Sequence, residues 1–543
     1  MKSLLALLAL ALPALASAQR PPEPAPPADA PRLTVVISVD QLSTELWNEY
    51  RPTFRGGLAR LSREALAFDG YQAHAASETC PGHSTILTGA HPARTGIVAN
   101  NWIDQRVARP KKEIYCAEDP AVSQPSGYTA SLANLRVPTL GDRLKAARPG
   151  SRVVSVSGKD RAAAMLGGRS ADQIWWWSGG DFTSNLTRTP AAAVARANAA
   201  IAQRLAQPRP ALVPPPHCEA RARPITLPGG RVLNTNRFAR AAGDNAAFRL
   251  SPEMDAATLA LGAALSDELQ LGRRQGQTDI LAIGLSATDY IGHAYGSGGL
   301  ETCLQLASLD RDLGDFLAHL DRTVGDYLVV LTADHGVLDV PERGTRPGSR
   351  RIDPNLTVKA LDEQVRATVG ATGPVLLGEG INDLYVSAAL PAATRARVLA
   401  ETERRLRAHP DVHSVHRGED IARLPVPAVP ASRWTVPQRL RASYDPQRSG
   451  DLLVVLKEGI QPIAAPGPTY AATHGSVWDY DRRVPILFWR GSMARGPGGE
   501  AMTVDIAPTL ARLLGVPVRA GEMDGRVLEL PRRNDIMGLP RTQ

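Results

Sequence analysis

Residues 33–40 read LTVVISVD, an unbroken apolar and β-branched run that closes on an aspartate. A strand with one wet face alternates apolar and polar residues, whereas a strand covered on both faces stays apolar throughout, as in parallel sheets. Leu33–Val39 is therefore expected to be a buried parallel strand, with Asp40 just past its carboxyl end. Similar runs occur at Val153–Val156, Ile280–Leu285, Tyr327–Thr332, Leu452–Leu456 and Pro485–Trp489. Helical patterns lie between them, at Phe54–Ala65, Ala191–Leu205, Met254–Leu271, Glu301–Leu320, Ala392–Ala408 and Asp505–Leu514. This alternation predicts an α/β fold with a mostly parallel central sheet flanked by helices on both faces. The Pro/Gly-rich stretches 207–230 and 421–437 and the polar stretch 338–356 read as excursions from that sheet. Cap-like insertions are accordingly expected within 101–250 and 338–470. Three consecutive tryptophans, Trp175–Trp177, suit either a pocket wall or a packed cap.

With 543 residues, 43% of them hydrophobic and 21% charged, the chain has the composition of a globular protein and room for one large domain with insertions. Its formal charge of +8 comes from dispersed arginines without a lysine-rich block, which argues against nucleic acid as a partner. The N-terminal MKSLLALLALALPALASAQR has a lysine, an apolar run and the small residues Ala16-Ser17-Ala18. That is the design of a secretory signal, so 1–18 is expected to be removed after Ala18 and the protein to be periplasmic or secreted. The apolar run is shorter than a membrane-spanning helix requires, and no other window is apolar enough to span. Residues 19–31 are expected to form a Pro/Ala-rich leader, 32–534 one large domain with cap-like insertions, and 535–543 a C-terminal tail. The cysteines, Cys80, Cys116, Cys218 and Cys303, allow three connectivities in an exported chain; pairing neighbours in sequence gives Cys80–Cys116 and Cys218–Cys303.

In open parallel sheets ligands sit beyond the carboxyl ends of the strands. Asp40, Asp289 and the pair Asp334-His335 fall at or just after such ends. Asp289 and His293, four apart in TDYIGHAYG, share one face of a helix. Asp334 and His335 precede Gly336, which helps the chain bend so that both side chains reach one place. His474 stands in a loop, in THGS. Each has an ordinary reading as a cap, a solvated pair or an exposed histidine. Together, three aspartates and three histidines make a ligand set suited to two Zn²⁺ ions, the usual clamp for phosphoryl displacement. Thr79, ahead of Cys80-Pro81-Gly82 in SETCPGHST, falls near a helix start, where it either caps the helix or serves as a metal-activated nucleophile.

The ordered series VISVDQ, SETCPGHSTILTGAHPARTGIVANNW, SGKDR, TDYIGHAYG, LTADHG and THGS resembles the alkaline phosphatase superfamily. It is most similar to the bacterial threonine-nucleophile alkaline phosphatases, the branch with phosphate-irrepressible and secreted Sphingomonas-type enzymes. The motifs run from 34 to about 490. The resemblance implies that Asp40, Asp334 and His335, with Thr79, hold one zinc, and that Asp289, His293 and His474 hold the other. It implies a phosphothreonine intermediate on Thr79, hydrolysed by a zinc-bound hydroxide, and a contact from Asn100, rather than Asn101, to a phosphoryl oxygen. Lys159 and Arg161 match the pair that contacts the non-bridging oxygens of a monoester. Two apart, they project to one face if the segment is extended, with Asp160 pointing away. Two cations there favour a monoester dianion over a diester monoanion.

The expected activity is that of a secreted di-zinc alkaline phosphatase of broad specificity acting on small-molecule phosphate monoesters. A nucleotide pyrophosphatase/phosphodiesterase shares the metal ligands and Thr79 but is expected to lack the Lys/Arg pair. A sulfatase is disfavoured because Cys80-Pro81 lacks the spacer and arginine of a formylglycine motif. An exported zinc- or phosphate-binding protein without catalysis would be missing a ligand or nucleophile, and none is missing here. An additional structural Ca²⁺, and the choice between monomer and homodimer, are left open by the residues.

Overall fold

The computed structural model describes residues 25–122 and 129–533. The signal segment 1–18, the start of the 19–31 leader and the 535–543 tail lie outside the described residues. Nine strands form the central sheet: β1 (Leu33–Val39), β2 (Leu66–Tyr71), β3 (Val153–Ser157), β4 (Gln173–Ser178), β5 (Asp181–Thr183), β6 (Asp279–Leu285), β7 (Tyr327–Thr332), β8 (Arg483–Trp489) and β9 (Gly496–Met502). Across the sheet they run β9-β2-β8-β7-β1-β6-β3-β4-β5. β1 sits near the middle, pairing in parallel with β6 and β7, while β3 pairs in parallel with β6 and with β4. β8 runs against its neighbours β7 and β2, and the hairpin strand β5 runs against β4.

Every residue of β1, β6 and β7 is buried, because helices cover the sheet on both sides. Side chains alternate between two cores. Leu33, Val35, Ile37 and Val39 join one with Leu281, Ile283, Val329 and Leu331. Val36 joins the other with Ile280, Ala282, Leu328 and Val330. Each residue thus packs with those level with it on neighbouring strands.

One expectation needs correction. Leu452–Leu456 is a buried strand, but it belongs to a separate four-stranded sheet, beside Asp383–Val386 and Val412–Arg417, with Leu376–Leu377 at the edge. Its pairings are antiparallel, and it has its own core with Val398, Leu406 and Ile460. This sheet is inserted between β7 and β8. An apolar pentapeptide reports burial on both faces, not which sheet buries it. Within the stretch 101–250, the expected strand at Val153–Val156 is β3, and β4 and β5 follow it in the central sheet. Trp175–Trp177 form the middle of β4, each under 10% exposed.

Disulfides join Cys80 to Cys116 and Cys218 to Cys303. Among the described residues no helix is long and apolar enough to cross a membrane.

Candidate active site and metal centre

Four adjacent parallel strands, β7-β1-β6-β3, end at the same edge of the sheet, and the segments leaving their carboxyl ends converge there. Asp40 comes directly after β1. Asp334 and His335 come after Ala333, just past the end of β7. The helix Ala287–Tyr295 starts just past β6 and turns Asp289 and His293 to the same side. The loop after β3 leads into Lys159. His474 arrives from the loop before β8. Asp40, Asp334 and His335 are fully buried and Asp289 is 1% exposed.

His335 Nε2 lies 3.4 Å from Asp40 Oδ1 and 3.2 Å from Asp334 Oδ2. His293 and His474 both aim Nε2 at Asp289 Oδ1, at 3.2 and 3.4 Å. Donor atoms of Asp40, Asp334 and His335 lie within 4.8 Å of one another, as do those of Asp289, His335 and His474, so His335 stands between two adjacent groups. The rings of His335 and His474 stack at 3.5 Å.

The other nitrogen of each histidine is committed. Nδ1 faces a backbone carbonyl in every case: Ala472 O for His293 at 2.8 Å, Gly336 O for His335 at 3.0 Å, Ser77 O for His474 at 2.7 Å. A carbonyl only accepts, so Nδ1 carries the proton and Nε2 is left as the ligand atom, the outer-shell arrangement that orients metal-binding histidines. Both carboxylate oxygens of Asp40, and Oδ2 of Asp334, lack a well-directed hydrogen bond. Buried carboxylate oxygens of this kind, beside imidazole nitrogens, fit borderline divalent ions such as Zn²⁺.

Burial and the nearby carboxylates of Asp289 and Asp334 push Asp40 well above the usual carboxylate range. Burial acts the same way on Asp289, but His293 and Lys159 outweigh it and hold that carboxyl well below. Burial lowers His474 to about 3, with the neighbouring His335 adding to the effect. His335 itself, despite burial, is pushed up to about 9 by Asp334 and Asp40. Three buried acids in one place call for positive charge.

Thr79 is the first residue of the helix Thr79–Thr88 and is 1% exposed; Glu78, not Thr79, is the N-cap. Thr79 Oγ1 lies 3.3 Å from Lys159 Nζ, 3.5 Å from Arg161 Nη2 and 3.5 Å from His335 Nε2. Lys159 Nζ also bridges Asp40 Oδ2 at 2.6 Å and Asp289 Oδ2 at 2.5 Å. The expectation of an extended Lys-Asp-Arg segment is corrected. Lys159 is the N-cap, and Arg161 lies in the first turn, of the helix Asp160–Gly167. The long side chains nevertheless meet at Thr79, while Asp160 accepts from Tyr115 Oη at 2.9 Å.

Asn100 accepts the Cys80 N–H on Oδ1 at 2.8 Å, and its own N–H donates to Glu78 Oε2 at 2.7 Å. With Oδ1 engaged as an acceptor, the amide Nδ2 is the donor left for a ligand. Thr79, Asn100, Arg161, His293 and His474 line an open cavity of about 1140 Å³.

Two supporting residues escaped the sequence reading. His83 is fully buried, with Nδ1 2.9 Å from Thr79 O and 3.1 Å from Asp334 Oδ2. Its position four residues after Thr79 was the available signal. Gln41, at φ +70°, donates its N–H to Asp334 Oδ1 at 3.1 Å and its Nε2 to Asp289 Oδ1 at 2.9 Å, tying the two acids together. Gly292 makes room for it, since a Cβ there would overlap Gln41 Oε1.

A family model described as type I phosphodiesterase / nucleotide pyrophosphatase matches residues 34–477. Alkaline phosphatase PhoK of a Sphingomonas species is 49% identical over 524 residues, covering 94% of this chain and 92% of its own length. Alkaline phosphatase PhoD of Zymomonas mobilis is 43% identical over 517 residues, covering 92% of this chain and 88% of its own. Among solved structures, wild-type alkaline phosphatase PafA superposes with a TM-score of 0.80 at 24% identity, over 92% of this chain and 98% of that one, so the two share a fold.

Proposed function

Because this chain belongs to the type I phosphodiesterase / nucleotide pyrophosphatase family, in the bacterial alkaline phosphatase branch of its superfamily, we propose that it is an alkaline phosphatase that hydrolyses small phosphate monoesters through a phosphothreonine on Thr79. Asp40, Asp334 and His335, with Thr79, would hold one Zn²⁺, and Asp289, His293 and His474 a second. When bound there, such a pair supplies Lewis-acid charge to the attacking and leaving oxygens of an in-line displacement.

The chain's own residues carry the rest. Thr79 presents Oγ1 at a helix start, where backbone N–H groups favour an anionic phosphoryl group. Lys159, Arg161 and Asn100 grip its non-bridging oxygens. The buried walls keep that grip in a low-dielectric setting, where it strengthens as charge develops. The N-terminal 18 residues direct export.

The observation that carries this reading is the convergence of Lys159 Nζ and Arg161 Nη2 on Thr79 Oγ1, at 3.3 and 3.5 Å. Two cations suit a dianion, and they crowd out the second ester group of a diester. The phosphodiesterase alternative draws on the name of the matching family model. One comparison separates them: kcat/KM on p-nitrophenyl phosphate against bis-p-nitrophenyl phosphate, for the wild type and for Lys159→Ala and Arg161→Ala. The monoester should be strongly preferred, and each substitution should cost the monoester at least about tenfold more than the diester. A diester preference in the wild type would reverse the assignment, and equal losses would make the pair structural.

A further inference from the structure

A second cavity, of about 500 Å³, lies beside the one that contains Thr79, and Arg161 and Tyr290 line both. Lys159, Arg161 and Arg249 all line this second cavity. Its one lining carboxylate among the described residues, Asp160, is engaged by the Tyr115 hydroxyl at 2.9 Å. Lys159 is already paired with Asp40 and Asp289, so the positive charge this cavity offers comes from Arg161 and Arg249, and Arg161 also faces the catalytic pocket.

Arg249 is placed there by packing. The Trp177 ring stacks on Phe248 at 5.0 Å and meets Phe182 edge-on at 5.5 Å, and Phe248 is fully buried. With Phe248 pinned beneath β4, the next residue stands at the cavity. The Arg249 guanidinium lies over the Tyr290 ring at 4.2 Å, and Lys159 Nζ approaches the same ring at 5.2 Å. Arg249 is exposed and has no carboxylate partner among the described residues. The turn Gly179-Gly180, with φ of +66° and +107°, also lines the cavity. A Cβ on Gly180 would sit 3.0 Å from Asn245 Nδ2, so this turn packs closely on the helix Asn245–Arg249.

An unpaired guanidinium held on an aromatic face, next to cations that grip the transferred phosphoryl group, is suited to a second anion on the same molecule. We infer that this cavity is a subsite for a second phosphate group, carried on the leaving group of a phosphate monoester, with Arg249 as its principal contact. The preferred substrates are thus compact bisphosphates. The inference rests on the monoesterase reading above.

The test compares α,ω-alkanediol bisphosphates of increasing spacer length with the matched monophosphates, using p-nitrophenyl phosphate as reference. The wild type should prefer bisphosphates at short spacers, by about tenfold in kcat/KM, with an optimum in spacer length. Arg249→Gln should erase that preference and Arg249→Lys should restore part of it. No preference, or a preference unchanged in Arg249→Gln, overturns the subsite while leaving the phosphatase intact. Failure to hydrolyse p-nitrophenyl phosphate at all would instead overturn the monoesterase reading on which the subsite depends.

Discussion

A threonine hydroxyl is a weak nucleophile, and what distinguishes Thr79 is its company. Its oxygen has an imidazole, an ammonium and a guanidinium within 3.5 Å. Thr79→Ala should abolish phosphoenzyme, measured by acid quench after mixing with a labelled ester, and lower turnover at least about a thousandfold. Undiminished turnover would remove Thr79 from the chemistry. At this scale the sequence was informative wherever a residue type is unusual for its place. An aspartate closing an apolar run stands out, and so does an Asp and His pair four apart. Gln41 and His83 did not stand out. Gln41 works through a left-handed backbone conformation that has no local signature in the residues around it. His83 faces Asp334 across a helix packed on a loop about 250 residues away in sequence, a contact only the fold creates.

Helices carry the site, and each needs its start fixed. The helix Ala287–Tyr295 begins where Ala287 N–H donates to Asp255 Oδ1 at 2.9 Å, with Gln305 Nε2 donating to Oδ2 at 2.7 Å. Burial pushes the Asp255 carboxyl up from 3.8 to about 7. The folded protein therefore keeps a proton that the unfolded chain releases near 3.8. This group's contribution to stability is greatest below 3.8, declines as pH rises, and levels off above about 7. Asp255→Asn should remove that decline, so the variant should gain Tm relative to wild type across the window and hold a constant difference above it. A Tm difference that does not change with pH would show the carboxyl already ionised throughout. The helix Thr79–Thr88 meets its neighbour just as closely, because a Cβ on Gly82 would overlap the backbone oxygen of Asp334. Element positions were legible from apolar runs and helical periodicity. Partners were less so: the Leu452–Leu456 run gave no hint that it pairs outside the central sheet, and SGKDR gave none that Asp160 opens a helix. Periodicity reports burial, whereas pairing depends on distant chain.

For the whole molecule, three acids buried in one place set an electrostatic demand that the fold alone meets only in part. Asp40, Asp289 and Asp334 share one buried locus with a single ammonium, Lys159, between two of them. Divalent ions held there would stabilise the fold as well as serve the reaction. Treatment with EDTA should therefore abolish activity and also lower Tm, and adding Zn²⁺ should restore both, at two ions per chain by elemental analysis. Restoration by another metal alone would overturn the zinc assignment, and an unchanged Tm would separate metal binding from folding.

The order of strands along the chain, set against their order across the sheet, fixes when each pairing can form during synthesis. β1 emerges from the ribosome long before β6 and β7, the partners that flank it, and the loop bearing His474 comes later than all three. A growing chain thus exposes the threonine early but has no complete centre until nearly its full length is out. On the role proposed for His474, catalytic competence therefore waits until the chain is nearly complete.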